Sequence, residues 1–188
     1  MGRLRVLVVC CFVVAGASGP TSGHSAERST QTCKASSLGF TFSLPSDWVC
    51  EGGGPAPAPR YTGVAPGQTA QLEVSTAKTT SSAPLSAYAN KLVEAVRRQY
   101  AHAGTGLAVT STNTKVGSTV PALRVSASYQ GVWLQGAGER GQITHLIYFV
   151  LRGGVLFAFD YSAVTPWATK DIPAFTASAR SIHFVTVA

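Results

Sequence analysis

The sequence predicts an α+β domain built on a central antiparallel β-sheet with helices packed against it. Apolar residues make up 45% of the chain and charged residues 12%, which suits a buried core and excludes a disordered chain. Four strand patterns follow one another between residues 107 and 162, whereas only two segments have helical periodicity. Runs of consecutive strands with few helices favour an antiparallel sheet over alternating βαβ units.

The first 17 residues have the pattern of a secretory signal peptide. Arg3 and Arg5 precede an uncharged run over residues 6–15, and small residues lead to a cleavage site after Ala17. The run is too short to span a membrane. We expect an exported protein, either secreted or on the extracytoplasmic face of the cell envelope. A short buried N-terminal helix is the alternative.

Two cysteines inside the apolar run raise the question of lipidation. A lipoprotein signal places small residues directly before the acceptor, but Val9 precedes Cys10, and both Cys10 and Cys11 lie in the middle of the run. The sequence leaves lipidation at Cys10 or Cys11 open.

Residues 18–32 are polar and are predicted to form a flexible tether, with the domain spanning 33–188. Without Arg3 and Arg5 the chain keeps 13 basic and 8 acidic residues, a net charge of +5. It also keeps two cysteines, Cys33 and Cys50, which in an exported protein most simply form one disulfide. A free thiol pair is the alternative, although the CxxC spacing is absent.

The first half of the domain predicts two strands and one helix. Residues 39–44 alternate apolar and polar side chains, and Pro45 begins a turn before Trp48. A Gly- and Pro-rich stretch over 52–67 predicts an irregular loop, and residues 71–76 alternate again. From Pro84, apolar side chains recur every three or four residues until Gly104, which predicts an amphipathic helix.

The second half predicts strands over 107–116, 123–130, 143–151 and 155–162, then a helix from Pro166 and a strand over 181–187. Residues 143–151 are apolar on both faces, which predicts a central strand covered on both sides. Arg152-Gly153-Gly154 predicts a hairpin turn. Pro173 has to lie in the first turn of the last helix if that helix is continuous.

No sequence motif identifies a catalytic, metal or cofactor site, so we predict none. Gly136–Gly141 matches GxGxxG but precedes a strand, whereas a dinucleotide site needs it to open a helix. The four histidines lack metal-ligand spacing. Asp160, within an aromatic strand, is a candidate functional carboxylate, and His145 could approach it as the base of an uncharacterised hydrolase.

The basic charge is modest and spread along the chain. No cluster of Lys and Arg interleaved with aromatic residues indicates nucleic-acid binding, and export argues against it. A weak attraction to anionic lipid or wall polymer is compatible with the charge, so peripheral membrane association is possible.

The motif from Gly39 to Trp48, with a Leu-Pro-x-x-Trp turn, resembles the PsbP-like superfamily. The helix from Pro84, the hairpin over 148–162 and the closing segment over 175–184 resemble it too. Among its members, the LpqN/LpqT-type exported proteins of actinobacteria are the most similar. The resemblance implies an α-β-α sandwich that docks to other proteins and carries no catalytic residues to transfer.

We therefore expect a non-enzymatic accessory protein of the cell envelope that binds a protein or lipid-like partner. Loop aromatics are the candidate contacts, led by Trp133 and followed by Trp48, Tyr61 and Trp167. Trp48 and Trp167 could instead fill the ends of the core. A small-ligand carrier with an apolar pocket between sheet and helix is the second alternative, beside the hydrolase.

Overall fold

The computed structural model describes residues 29–52, 61–79, 82–133, 138, 140–165 and 167–185. In these ranges the chain forms two antiparallel sheets and two α-helices, which confirms the predicted α+β class. The smaller sheet has the order β1-β2-β10 and comprises β1 (Thr30–Ala35), β2 (Phe40–Pro45) and β10 (His183–Phe184). It joins the start of the domain to its end.

The larger sheet has seven strands in the order β3-β4-β5-β9-β8-β7-β6, and every neighbouring pair is antiparallel. Its strands are β3 (Val49–Gly52), β4 (Tyr61–Val64), β5 (Ala70–Lys78), β6 (Gly104–Val116), β7 (Val120–Val132), β8 (Arg140–Arg152) and β9 (Val155–Val164). The helices are α1 (Ala89–Tyr100), preceded by a 3-10 turn over Leu85–Tyr88, and α2 (Trp167–Ser181).

The larger sheet buries apolar side chains on both faces. One face packs against α1, where Leu92 and Val96 meet alternate residues of β7 such as Val125. The opposite face packs against the smaller sheet and α2, with Phe40 of β2 and Phe175 of α2 in that core. The alternation of side chains along a strand therefore supplies two separate cores from one sheet.

The strands at the centre of the larger sheet follow the sequence pattern closely. β8 lies between β9 and β7, and its residues 145–150 are all buried, which confirms the predicted doubly covered strand. Gly153 and Gly154 connect β8 to β9 and both have positive φ, 55° and 73°. A two-residue turn with positive φ at both positions suits the twist of a hairpin and favours glycine.

Three strands lie where the sequence predicted tether or loop. β1 begins at Thr30, so residues 30–32 belong to the sheet and not to the tether. Their backbone pairs with β2, and the Gln31 side chain donates to the carbonyl oxygens of Pro45 and Trp48. β3 ends at Gly52, where the predicted loop over 52–67 begins, and β4 lies within that loop because it pairs with β5.

The C-terminal part also differs from the prediction. Pro173 lies in the second turn of α2, not the first, and the helix continues through it. The closing strand is only two residues long, since β2 offers partners to His183 and Phe184 alone. Residues 1–28, with the expected signal peptide, Cys10, Cys11 and most of the tether, lie outside the described residues.

A disulfide joins Cys33 to Cys50, as the cysteine count predicted. Cys33 belongs to β1 in the smaller sheet and Cys50 to β3 in the larger one, so the bond links the two sheets covalently. Cys33 is buried in the core and the two Cα atoms are 6.1 Å apart. Neither helix has the length and apolar character that crossing a membrane requires, over the ranges described above.

Candidate functional site

Four polar side chains converge on the face of the larger sheet that α1 covers. Tyr100 is the last residue of α1, and Tyr129, His145 and Asp160 come from β7, β8 and β9. The strand register brings them together, because His145 lies opposite Ala127, two residues before Tyr129, while Asp160 lies opposite Ile147, two residues after His145. We call these four residues the polar cluster.

The polar cluster is hydrogen-bonded through the carboxylate of Asp160. His145 Nδ1 lies 2.9 Å from Asp160 Oδ1, and the Tyr100 hydroxyl donates to Oδ2 at 2.8 Å. The Tyr100 oxygen is also 3.1 Å from Nδ1, and the Tyr129 hydroxyl is 3.5 Å from Nε2. With the carboxylate of Asp160 as the acceptor, Nδ1 of His145 is the donor in this contact.

Burial makes these hydrogen bonds strong and keeps both tyrosines protonated. His145 and Tyr100 are each 7% exposed, and their rings lie 4.3 Å apart between centroids. Burial raises the pKa of Tyr100 far above its usual 10, and the negative charge of Asp160 and its hydrogen bond raise it further. Burial is also the larger cause that raises the pKa of Tyr129, and the negative charge of Asp160 is the smaller one. Both phenols therefore remain donors at neutral pH.

The pair of Asp160 and His145 meets one condition of the hydrolase hypothesis, since the two side chains are within hydrogen-bond distance. A buried serine, Ser162, lies opposite His145 on the same face, but its hydroxyl forms no hydrogen bond with any described residue. Nε2 of His145 faces Tyr129 instead. A nucleophile needs a hydrogen bond to its base, and Ser162 has none to His145. The arrangement therefore favours a structural role, in which these hydrogen bonds hold α1 on the sheet.

The buried tyrosines predict alkaline destabilisation. The folded chain keeps Tyr100 and Tyr161 protonated, because burial raises the pKa of both hydroxyls, while in the unfolded chain they ionise near pH 10. Stability is therefore complete below about pH 10 and falls above it, by up to about 1.4 kcal/mol per pH unit for each tyrosine. Chemical denaturation followed by circular dichroism between pH 9 and pH 11.5 measures this slope.

Two variants identify the source of the slope. Tyr100→Phe and Tyr161→Phe should each make the fall of the free energy of unfolding with pH less steep. Tyr100→Phe should also lower the free energy of unfolding at pH 8 by about 1–2 kcal/mol, because Asp160 loses a hydrogen-bond donor. Equal free energies of unfolding at pH 9 and pH 11.5 in the unaltered protein would contradict the prediction.

A second feature with functional potential is the edge of the larger sheet formed by β6. This strand has 13 residues and, within the part of the chain that the structure describes, pairs with β7 alone, so every second residue directs its N–H and C=O outward. From Thr105 to Thr114 it contains no charged residue and no proline, and Thr110–Asn113 are exposed on both faces. A register shift between Thr105 and Ala108 disrupts one end only. We call the outward side of residues 108–114 the β6 edge.

An open cleft of about 730 Å³ lies at the C-terminal end of the β6 edge. It is lined by residues of β6, of the following turn and of the last turn of α2, namely Asn113, Thr114, Lys115, Gly117, Ser118 and Arg180. We call it the basic cleft. The carrier hypothesis expects a pocket lined by apolar residues between sheet and helix, whereas this open cleft at the sheet edge is lined by polar and charged residues and a glycine.

The structure buries two of the four candidate aromatics. Trp133 is 4% exposed and its Nε1 donates to the carbonyl oxygen of Gln68 at 2.6 Å, and Trp48 is 3% exposed against Phe175. Both hydrophobic rings are needed by the cores, so neither offers the exposed contact that the binding hypothesis requires. Trp48 does fill the core as the alternative expected.

The other two candidates have different outcomes. Trp167 is 38% exposed beside Lys170, so it remains available for contact and does not close the core. The side chain of Tyr61 lies outside the described residues. Across the ranges that the structure covers, His, Cys, Asp and Glu form no group of three that could hold a metal ion.

Sequence reasoning identified Asp160 and His145 but missed Tyr100 and Tyr129. Both tyrosines fall on apolar faces, Tyr100 in the helical periodicity and Tyr129 in the strand alternation. A tyrosine on a buried face carries a hydroxyl that needs a partner, which was the available signal. The β6 edge was missed because a strand pattern does not reveal its place in a sheet.

With its two packed antiparallel sheets and two helices, the chain has the predicted PsbP-like fold. The structure is similar to cyanobacterial PsbP (CyanoP) from Synechocystis sp. PCC 6803, with a TM-score of 0.55 and 14% identity over 88% of this chain and 98% of that one. It is also similar to the Ran-binding protein Mog1p of Saccharomyces cerevisiae, with a TM-score of 0.54 and 9% identity over 85% and 97% of the two chains.

LpqN of Mycobacterium tuberculosis, described as involved in cell envelope biogenesis, gives a TM-score of 0.43 and 11% identity over 87% of this chain and 88% of that one. The fold assignment depends on the first two structures, and the narrower LpqN/LpqT-type resemblance stays a prediction. No protein-family model matches the sequence, and no curated protein matches it. Identities this low define the fold alone.

Proposed function

We propose that this chain is an exported, non-enzymatic accessory protein of the cell envelope that binds a protein partner along the β6 edge. The observation that carries the proposal is the length and composition of that edge. Natural proteins protect edge strands with charges, prolines, bulges or short length. β6 is 13 residues long and uncharged from Thr105 to Thr114, and its one irregularity lies at its start.

An exposed edge favours a protein over a lipid-like partner. Unpaired backbone N–H and C=O groups bind an extended peptide through main-chain hydrogen bonds, with side chains adding specificity. A lipid tail offers no such groups. The exposed threonines on β6 hold the strand extended, because β-branched side chains prefer that conformation.

Three further observations support the exported binding role. Residues 1–17 have the pattern of a signal peptide, and a disulfide suits an oxidising compartment. Mog1p, which has a similar fold, is a Ran-binding protein. The polar cluster then has a structural role, in which Tyr100 fastens the end of α1 to the sheet.

Site-specific photocrosslinking in intact cells of the source organism tests this proposal. A photoreactive amino acid at Ser111 or Thr112 should give one discrete adduct with an envelope protein, because both side chains are exposed beside the free edge. The matched control places the same group at Lys78, which is exposed on β5, four strands away from β6 in the sheet.

The crosslinking pattern decides the outcome. Adducts from the β6 positions and none from Lys78 support docking at the edge. No adduct from either β6 position, or the same adducts from Lys78, would refute the proposal.

A further inference from the structure

The basic cleft is fixed in shape by contacts between the β6–β7 turn and the end of α2. The Gly117 N–H donates to the carbonyl oxygen of Ala179 at 2.9 Å. Gly117 has a φ of 57°, and a Cβ there would lie 2.5 Å from the carbonyl oxygen of Ile182, so only glycine allows this approach. The contact holds Arg180 next to the end of β6.

The charges of the basic cleft select an anionic group. Lys115 and Arg180 are both exposed there, and none of the described lining residues is acidic. The other lining residues include Asn113, Thr114 and Ser118, residue types that can donate hydrogen bonds to an oxygen anion. Because the cleft has two cationic residues and no carboxylate among its described lining residues, it favours a ligand that carries a carboxylate.

The cleft adjoins the β6 edge, so one ligand can occupy both. Residues 110–113 are exposed, and the cleft begins at Asn113, so the β6 edge and the cleft meet. A peptide of about seven residues paired along the β6 edge would extend roughly 23 Å and bring its end over Lys115. The edge would bind its backbone and the cleft one of its side chains.

We propose that the partner docks an extended strand along the β6 edge and places an Asp or Glu side chain between Lys115 and Arg180. This inference depends on the proposed function and specifies the chemistry of the partner segment. A second copy of β6 does not fit, because residues 104–116 contain no Asp or Glu to meet the two cations.

Carbodiimide crosslinking tests the contact directly, because it joins a lysine amine to a carboxylate only where the two already touch. In the envelope complex trapped through Thr112, we expect an amide bond between Lys115 Nζ and an Asp or Glu side chain of the partner, identified by mass spectrometry. Lys78 is a matched control, since it is exposed on β5 away from the edge.

Variants separate charge from reactivity. Lys115→Arg keeps the charge, so it should keep the Thr112 photoadduct and lose the carbodiimide bond. The pair Lys115→Glu and Arg180→Glu should reduce the photoadduct at least tenfold, and the neutral pair Lys115→Gln and Arg180→Gln should reduce it less.

Several results would overturn the inference. In the carbodiimide experiment, these are a bond from Lys115 to the C-terminal carboxylate of the partner, or an equal yield of crosslink at Lys78. In the photocrosslinking experiment, they are a photoadduct that both double variants leave unchanged, or a photoadduct that joins two copies of this chain. If the photoadduct forms at Thr112 and is insensitive to charge, the acidic contact is wrong while docking at the edge stands. If no adduct forms at either Ser111 or Thr112, the proposed function itself is wrong.

Discussion

Replacing Phe40 with alanine is expected to lower the free energy of unfolding by about 3–5 kcal/mol, the usual range for a buried phenylalanine. Phe40 is fully buried, and its ring packs edge-to-face on Phe159 of β9 with centroids 5.1 Å apart. It also lies 5.9 Å from the ring of Phe184 on β10. The substitution therefore leaves a cavity where the two sheets meet. Urea denaturation followed by tryptophan fluorescence measures the resulting loss in the free energy of unfolding.

A conservative variant and an exposed one accompany this test. Phe40→Leu should lose well under half as much, because leucine fills most of the volume. Val49→Ala should change the free energy of unfolding by less than about 0.5 kcal/mol, since Val49 is 56% exposed. A loss below about 1 kcal/mol for Phe40→Ala would mean that the sheets do not pack through this ring.

Removing the disulfide with Cys33→Ala and Cys50→Ala together should cost about 3 kcal/mol in the chain-entropy model. The bonded cysteines are 17 residues apart, and the bond limits the unfolded chain over that loop. Thermal unfolding with and without dithiothreitol measures the effect. Reductant should lower the melting temperature of the unaltered protein toward that of the double variant.

The double variant is its own control, since reductant should leave its melting temperature unchanged. If mass spectrometry detects two free thiols in the protein isolated from its native compartment, the Cys33–Cys50 bond is contradicted. An unchanged melting temperature of the unaltered protein after full reduction would contradict its contribution to stability.

The parts of the fold that depend on local patterns could be predicted from the sequence. Residues 143–151 are apolar on both faces and Gly153-Gly154 permits a tight turn, so β8, its hairpin and its central position follow from side-chain periodicity and turn chemistry. The helical spacing before Tyr100 predicted α1 for the same reason.

The parts that depend on pairing could not be predicted. β3 and β4 have four residues each, too few to show alternation, and they are strands because β4 pairs with β5 and β3 pairs with β4. The position of β6 at the edge is likewise a property of strand order. The polar cluster illustrates both cases, since the chemistry of Asp160 and His145 was visible, whereas the register that adds the two tyrosines was not.

The smaller sheet also constrains when the molecule can finish folding. β10 pairs with β2 through His183 and Thr41, so this sheet unites the two ends of the domain. It cannot be completed during synthesis until residue 184 has emerged, and such a distant pairing slows closure. For an exported chain, as we propose, this delay keeps the domain open until residue 184 has crossed the membrane, and the Cys33–Cys50 bond can then link the two sheets in an oxidising compartment.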